Sequence, residues 1–147
     1  MSYTQEQVET FSQPLTRQLG EQHKWQWEGQ REVLLSEFSK DKIEATLAVL
    51  REHYCHEWDR KSIKKAPKAL KQQLGELAVL YKEQKLFTRP GEDGQPSAVA
   101  VWWPWGHGGT ISLRIKPLPK TYSLASDISA ESGLFTRIKQ LFSRPSA

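Results

Sequence analysis

Nine of the thirty residues from Arg60 to Arg89 are Lys or Arg, against two carboxylates, Glu76 and Glu83. Nine cations and two acids leave +7 in a chain whose formal net charge is only +4. The balance comes from residues 1–59, where six cations meet eleven acids. A concentrated basic block marks a surface that meets something anionic. On a continuous helix, Lys61, Lys65, Lys68 and Gln72 would share a face overlapped by Lys64 and Lys71. Such a ridge neutralises phosphates, and Gln72 beside it is placed for base edges. Lys outnumbers Arg in the block, which favours backbone neutralisation over bidentate base recognition. The ordinary alternative is a solvated helix face, because Lys is a common exposed residue.

Aromatic and metal-ligating residues are the next candidates. Trp25, Trp27, Trp102, Trp103 and Trp105 are potential stacking platforms for bases, and Trp105, in a glycine-rich turn, is the ring expected to be most exposed. The same rings would equally close a small core. His53, Cys55, His56 and Glu57 invite a metal reading, since His53 and His56 are three apart. With one cysteine and the remaining histidines, His23 and His107, distant in sequence, no four-ligand set is expected, and no metal or cofactor is assigned. Cys55 and His56 are adjacent, so on a helix they diverge by about 100° and make no nucleophile–base pair. Gly106-His107-Gly108-Gly109 joins two strands and precedes no helix, which excludes a phosphate loop. No catalytic residue is assigned.

These residues need elements to hold them. Val8, Phe11, Leu15 and Leu19 form a helical stripe interrupted by Pro14, which predicts two short helices or a kink. Trp25–Glu28 alternates as a short strand, and Arg31–Phe38 is ambiguous. Ile43, Leu47, Leu50 and Tyr54 predict a helix from Ser39 to about His56. Leu70, Leu74, Leu77 and Tyr81 predict a second, from Pro67 to about Gln84. The period then drops to two. Ala98–Trp103 and Thr110–Lys116 form a hairpin, with Ile111, Leu113 and Ile115 facing inward and Arg114 outward.

The fold class expected is α+β, with three to four helices and a β-hairpin in the C-terminal half. The order helix, short strand, helix, helix, strand, strand is similar to that of winged-helix domains over roughly residues 5–116. The resemblance implies a helix-turn-helix followed by a hairpin wing. The expected layout is a compact domain at 1–118, a linker at 119–132, and an amphipathic helix at 133–147. That last helix carries Leu134, Phe135, Ile138, Leu141 and Phe142 on one side, the pattern of a segment that docks in a groove or on a membrane surface.

At 37% apolar and 26% charged, the composition supports a packed core. The lone Cys55 and the absence of a leader-like start suggest a cytoplasmic protein. The functional expectation is a non-catalytic nucleic-acid-binding protein using Lys61, Lys64, Lys65, Lys68, Lys71 and Gln72, with Arg89, Trp105 and Arg114 from the hairpin region. The alternative is an adaptor docking through the C-terminal helix.

Overall fold

The computed structural model describes residues 3–21, 23–91 and 96–122. Helix α1 (Gln5–Leu19) opens on a capping box, in which Thr4 and Gln7 each donate a backbone N–H to the other's side chain. It is one continuous helix through Pro14, because Val8 on one side of the proline and Leu15 and Leu19 on the other all press on the same sheet face. Strands β1 (Gln26–Glu28) and β2 (Val33–Ser39) follow, then a 3-10 turn at Lys40–Lys42 and helix α2 (Ile43–His53). Next come β3 (His56–Trp58), a 3-10 turn at Ser62–Lys65, helix α3 (Lys68–Leu74) and a 3-10 turn at Gly75–Ala78. Strands β4 (Lys85–Arg89), β5 (Ala98–Pro104) and β6 (Thr110–Pro117) complete the described fold.

All six strands form one antiparallel sheet in the order β1-β2-β6-β5-β4-β3. Both of its faces are used. Ala98, Ala100 and Trp102 of β5 point to the side of α1 and α2, where Leu34, Phe87, Leu113 and Leu50 are buried with them. Val99 and Val101 point the other way, into a second core with Leu70 and Leu74 of α3 and with Ile63, Leu86 and Leu118. A strand covered on both faces has no polar side to show, hence the uninterrupted apolar run of β5. Fully buried side chains such as Leu50 and Leu70 each contribute about 2 kcal/mol of transfer free energy. Thr88 ties the second core together, accepting hydrogen bonds from Trp58 Nε1 and the Tyr122 hydroxyl, both at 2.8 Å.

The α+β class and the β5–β6 hairpin stand, and Ile111, Leu113 and Ile115 are buried as expected. The winged-helix-like order does not. β2 and β4 flank the hairpin and bring β1 and β3 with them, so the hairpin is the centre of a sheet and not a wing. α2 and α3 are no helix-turn-helix either. β3 intervenes, and the two helices pack on opposite faces of the sheet. The second predicted helix stops short because Gly75 takes a φ of +56°, a conformation that ends the helix, and Tyr81 is left 66% exposed. The helix predicted at 133–147, with Leu134, Phe135, Ile138, Leu141 and Phe142, lies outside the described residues. Among those described, no helix is long and apolar enough to cross a membrane.

Candidate functional site

The basic block begins at a tight turn. Asp59 Oδ1 accepts the backbone N–H groups of Lys61 and Ser62 at 3.0 and 2.8 Å, while Asp59 N–H donates to Ser62 Oγ at 2.9 Å. The hydrogen bonds to its carboxylate, chiefly the one from the Ser62 backbone, hold the Asp59 carboxyl below its usual range. Ile63 and Ala66 turn inward to the second core, which sends Lys64 and Lys65 outward. In α3 the same division repeats, with Leu70 and Leu74 inside and Lys68 and Gln72 outside.

The block is not one helix. Proline disfavours the α conformation in the residue before it, and Ala66 is extended (φ −68°, ψ 156°) ahead of Pro67. Lys61, Lys65, Lys68 and Gln72 therefore do not share a helical face; they decorate a turn and a short helix in succession. Lys71 is half-buried and donates from Nζ to the Lys64 carbonyl at 2.8 Å, stapling the turn to α3. Arg60, Lys61, Lys64, Lys65 and Lys68 are all exposed, and among the described residues none has an ion-pair partner.

One end of this strip borders a cleft of about 570 Å³ beside α2. Its floor includes Trp102 and Leu47, and Arg60, Lys61, Lys82 and Lys85 stand around it. The cleft thus joins the two ends of the basic block. Lys85 is already engaged, its Nζ 3.0 Å from Glu57 Oε2, and Arg51 binds the same carboxylate through Nε and Nη2 at 2.8 and 3.0 Å. The Arg51 hydrogen bonds, helped by Lys85, hold the Glu57 carboxyl low. Asp59 and Glu83 also border the cleft, so its net charge is modest.

The remaining expected residues lie elsewhere. Arg89 sits in β4 on the other side of the sheet, its guanidinium 5.2 Å from the centre of the Phe11 ring. Trp105 is 43% exposed in the β5–β6 turn, meets His107 edge-on at 5.7 Å, and donates from Nε1 to Ser112 Oγ at 2.8 Å. His53 and His56 do not share a helix. α2 ends at His53, which pairs with Gln18 Oε1 at 2.7 Å, and His56 is in β3 with its ring stacked on Trp58. Among the described residues, no group of three or more His, Cys, Asp or Glu is arranged to hold a metal ion.

Arg114 is not an outward-reaching cation. Its side chain is only 13% exposed and lies in a groove of about 460 Å³ between the end of α3 and the β1–β2 turn. Nε donates to Glu28 Oε1 at 2.9 Å, and the guanidinium carbon stands 4.9 Å from the Trp103 ring centre. Arg31 reaches the other Glu28 oxygen at 3.3 Å. The Arg114 hydrogen bond, above all, keeps the Glu28 carboxyl low. Among the described residues, Arg114 Nη1 and Trp103 Nε1 are buried and have no hydrogen-bond partner. Sequence reasoning missed this groove because its parts come from distant strands; the one signal was Arg114 and Lys116 alternating with inward apolar residues. Comparison with protein-family models, with curated proteins and with solved structures found no match to this chain.

Proposed function

We propose that this protein is a non-catalytic nucleic-acid-binding protein that holds the sugar–phosphate backbone along the Arg60–Lys68 strip. The observation that supports this reading is the run of five exposed cations, Arg60, Lys61, Lys64, Lys65 and Lys68, without a carboxylate partner among the described residues. Protein–protein interfaces favour Arg and aromatic side chains at their centres and deplete Lys. A lysine strip fits a diffuse polyanion better, with affinity from counterion release and little base discrimination. Lys82, across the cleft, extends the same field. Arg89 and Arg114 drop out of the interface, the first by position and the second by its pairing with Glu28.

The test is fluorescence anisotropy with labelled single- and double-stranded DNA and RNA at several salt concentrations. Wild-type affinity is expected to fall with salt at a log–log slope of about −3 to −5, for roughly five phosphate contacts. Lys64→Glu, Lys65→Glu and Lys68→Glu together should reduce low-salt affinity by about a hundredfold or more while the circular dichroism spectrum stays unchanged. Failure of the wild type to bind any of the four nucleic acids at low salt would overturn the reading. So would binding to phosphatidylserine vesicles alone.

A further inference from the structure

The lysine strip and the cleft beside α2 offer different chemistry to one ligand. Exposed cations hold phosphates whether the bases they carry are paired or not. The cleft adds something phosphates cannot use, an apolar interior. Ile43 and Pro104 are half-buried and form its accessible walls, over the more deeply buried Leu47, Trp102 and Ile111. At about 570 Å³ it has the size of an ordinary small-molecule site. Arg60 and Lys61 line the cleft and also begin the strip, so a backbone held by Lys64, Lys65 and Lys68 arrives at the cleft mouth.

The charges around the cleft narrow what can enter. Arg60, Lys61, Lys82 and Lys85 meet Asp59 and Glu83 there and, through Lys85, Glu57. The small positive excess suits a neutral base entering behind a single phosphate; a cluster of phosphates would crowd the three carboxylates. In a duplex the bases are stacked on one another, and none reaches an apolar recess without leaving the helix. An unpaired nucleotide turns its base out at little cost. We propose, taking the strip as a backbone-binding surface, that the cleft receives one unpaired base against Ile43 and Pro104, giving single-stranded nucleic acid a contact that duplexes lack. That contact should be worth about tenfold in affinity.

The test is fluorescence anisotropy of the full chain at low salt with probes of about fifteen nucleotides: a thymidine strand, an abasic strand of the same charge, and a duplex. Wild-type protein should bind the thymidine strand about tenfold more tightly than the abasic strand. Ile43→Asn makes one wall polar without changing the charge. It should bring the thymidine strand to within about threefold of the abasic strand and leave the abasic strand and the duplex unchanged. Pro104→Ser, on the other wall, should act in the same way, and the wild-type comparison of the two strands needs neither variant to fold. Equal wild-type affinities for the two strands, both falling as salt rises, would overturn the base site and leave the strip as a backbone-binding surface. A folded Ile43→Asn protein that keeps its full preference for thymidine would overturn the base site as well. Binding to none of the three probes would remove both the base site and the strip reading.

Discussion

Arg114 and Lys68 carry the same charge, and Arg114 projects from β6 on the face of the sheet that α3 covers, yet their surroundings differ in every respect that matters. Lys68 opens α3 with its side chain in water and no carboxylate partner among the described residues. Arg114 is 13% exposed, bonded to Glu28 and laid on Trp103. Water screens the first charge and leaves it free to meet a distant polyanion. Desolvation ties the second to its immediate neighbours and makes it part of the scaffold. Side-chain charge alone therefore says little about role; the solvation of the charge decides it.

The largest expected difference follows directly. Arg114→Ala should destabilise the fold by about 2–3 kcal/mol, since it strands a partly buried Glu28 carboxylate and uncovers Trp103. Lys68→Ala should change stability by less than about 0.5 kcal/mol. Urea denaturation of both variants measures the contrast, and equal effects would erase it.

A smaller effect isolates the ion pair. Glu28→Gln keeps an acceptor for Arg114 Nε but removes the charge, and should cost about 1–2 kcal/mol at neutral pH. Glu28 has its pKa lowered in the fold, mainly by the Arg114 hydrogen bond, so the unfolded chain takes up the proton first. Its stabilisation is present above the ordinary value of 4.5 and is lost as the pH falls through the depressed folded value. The Glu28→Gln variant should lack this part of the acid dependence, which denaturation between pH 5 and 3 would detect.

His23 extends the comparison to a group that burial keeps neutral. It is 6% exposed, bonded to Thr46 Oγ1 at 3.0 Å and near Ser36 Oγ at 3.4 Å, and desolvation together with Lys42 lowers its pKa. The unfolded chain is protonated first here also, so stability should fall as the pH drops below about 6.5, by at most about 1.4 kcal/mol per pH unit. His53 and His56, lowered mainly by burial, act in the same direction. His23→Gln should flatten the profile between pH 7 and 5, and an unchanged slope would assign it to the other two.

The lysine strip was legible in the sequence because composition alone places lysine at the surface. The groove was not. Glu28 and Arg114 are 86 residues apart and meet through the β1–β2–β6 pairing, which no local pattern reveals. The fold divides the same way. The β5–β6 hairpin and the Ile43–Leu50 stripe of α2 announce themselves through period and length. The Trp25–Glu28 alternation marks β1 as well, whereas β3 is three residues long and too short to display alternation. In β3, Trp58 falls four residues after Tyr54 and imitates a continued helix, although Tyr54 has already turned extended (φ −121°, ψ 136°). Missing that one turn converts a sheet edge into a helix pair, and the winged-helix order follows from the error.

Salt gives the smallest effect and the one most specific to the contrast. Lys64, Lys65 and Lys68 repel one another across water in the folded protein, where the turn and α3 hold them close together. Raising the ionic strength from about 0.01 M to 0.15 M shortens the screening length from about 30 Å to 8 Å and relieves that repulsion. Folding stability should therefore rise by a few tenths of a kcal/mol, about the scale of exposed charge pairs. The Arg114–Glu28 pair, with most of both side chains out of water, is screened much less and should barely respond. Replacing Lys64, Lys65 and Lys68 with Gln should abolish the gain, whereas Glu28→Gln should preserve it. A gain that survives the lysine replacements and vanishes in Glu28→Gln would reverse the assignment, making the groove the salt-sensitive region and the strip a surface already compensated.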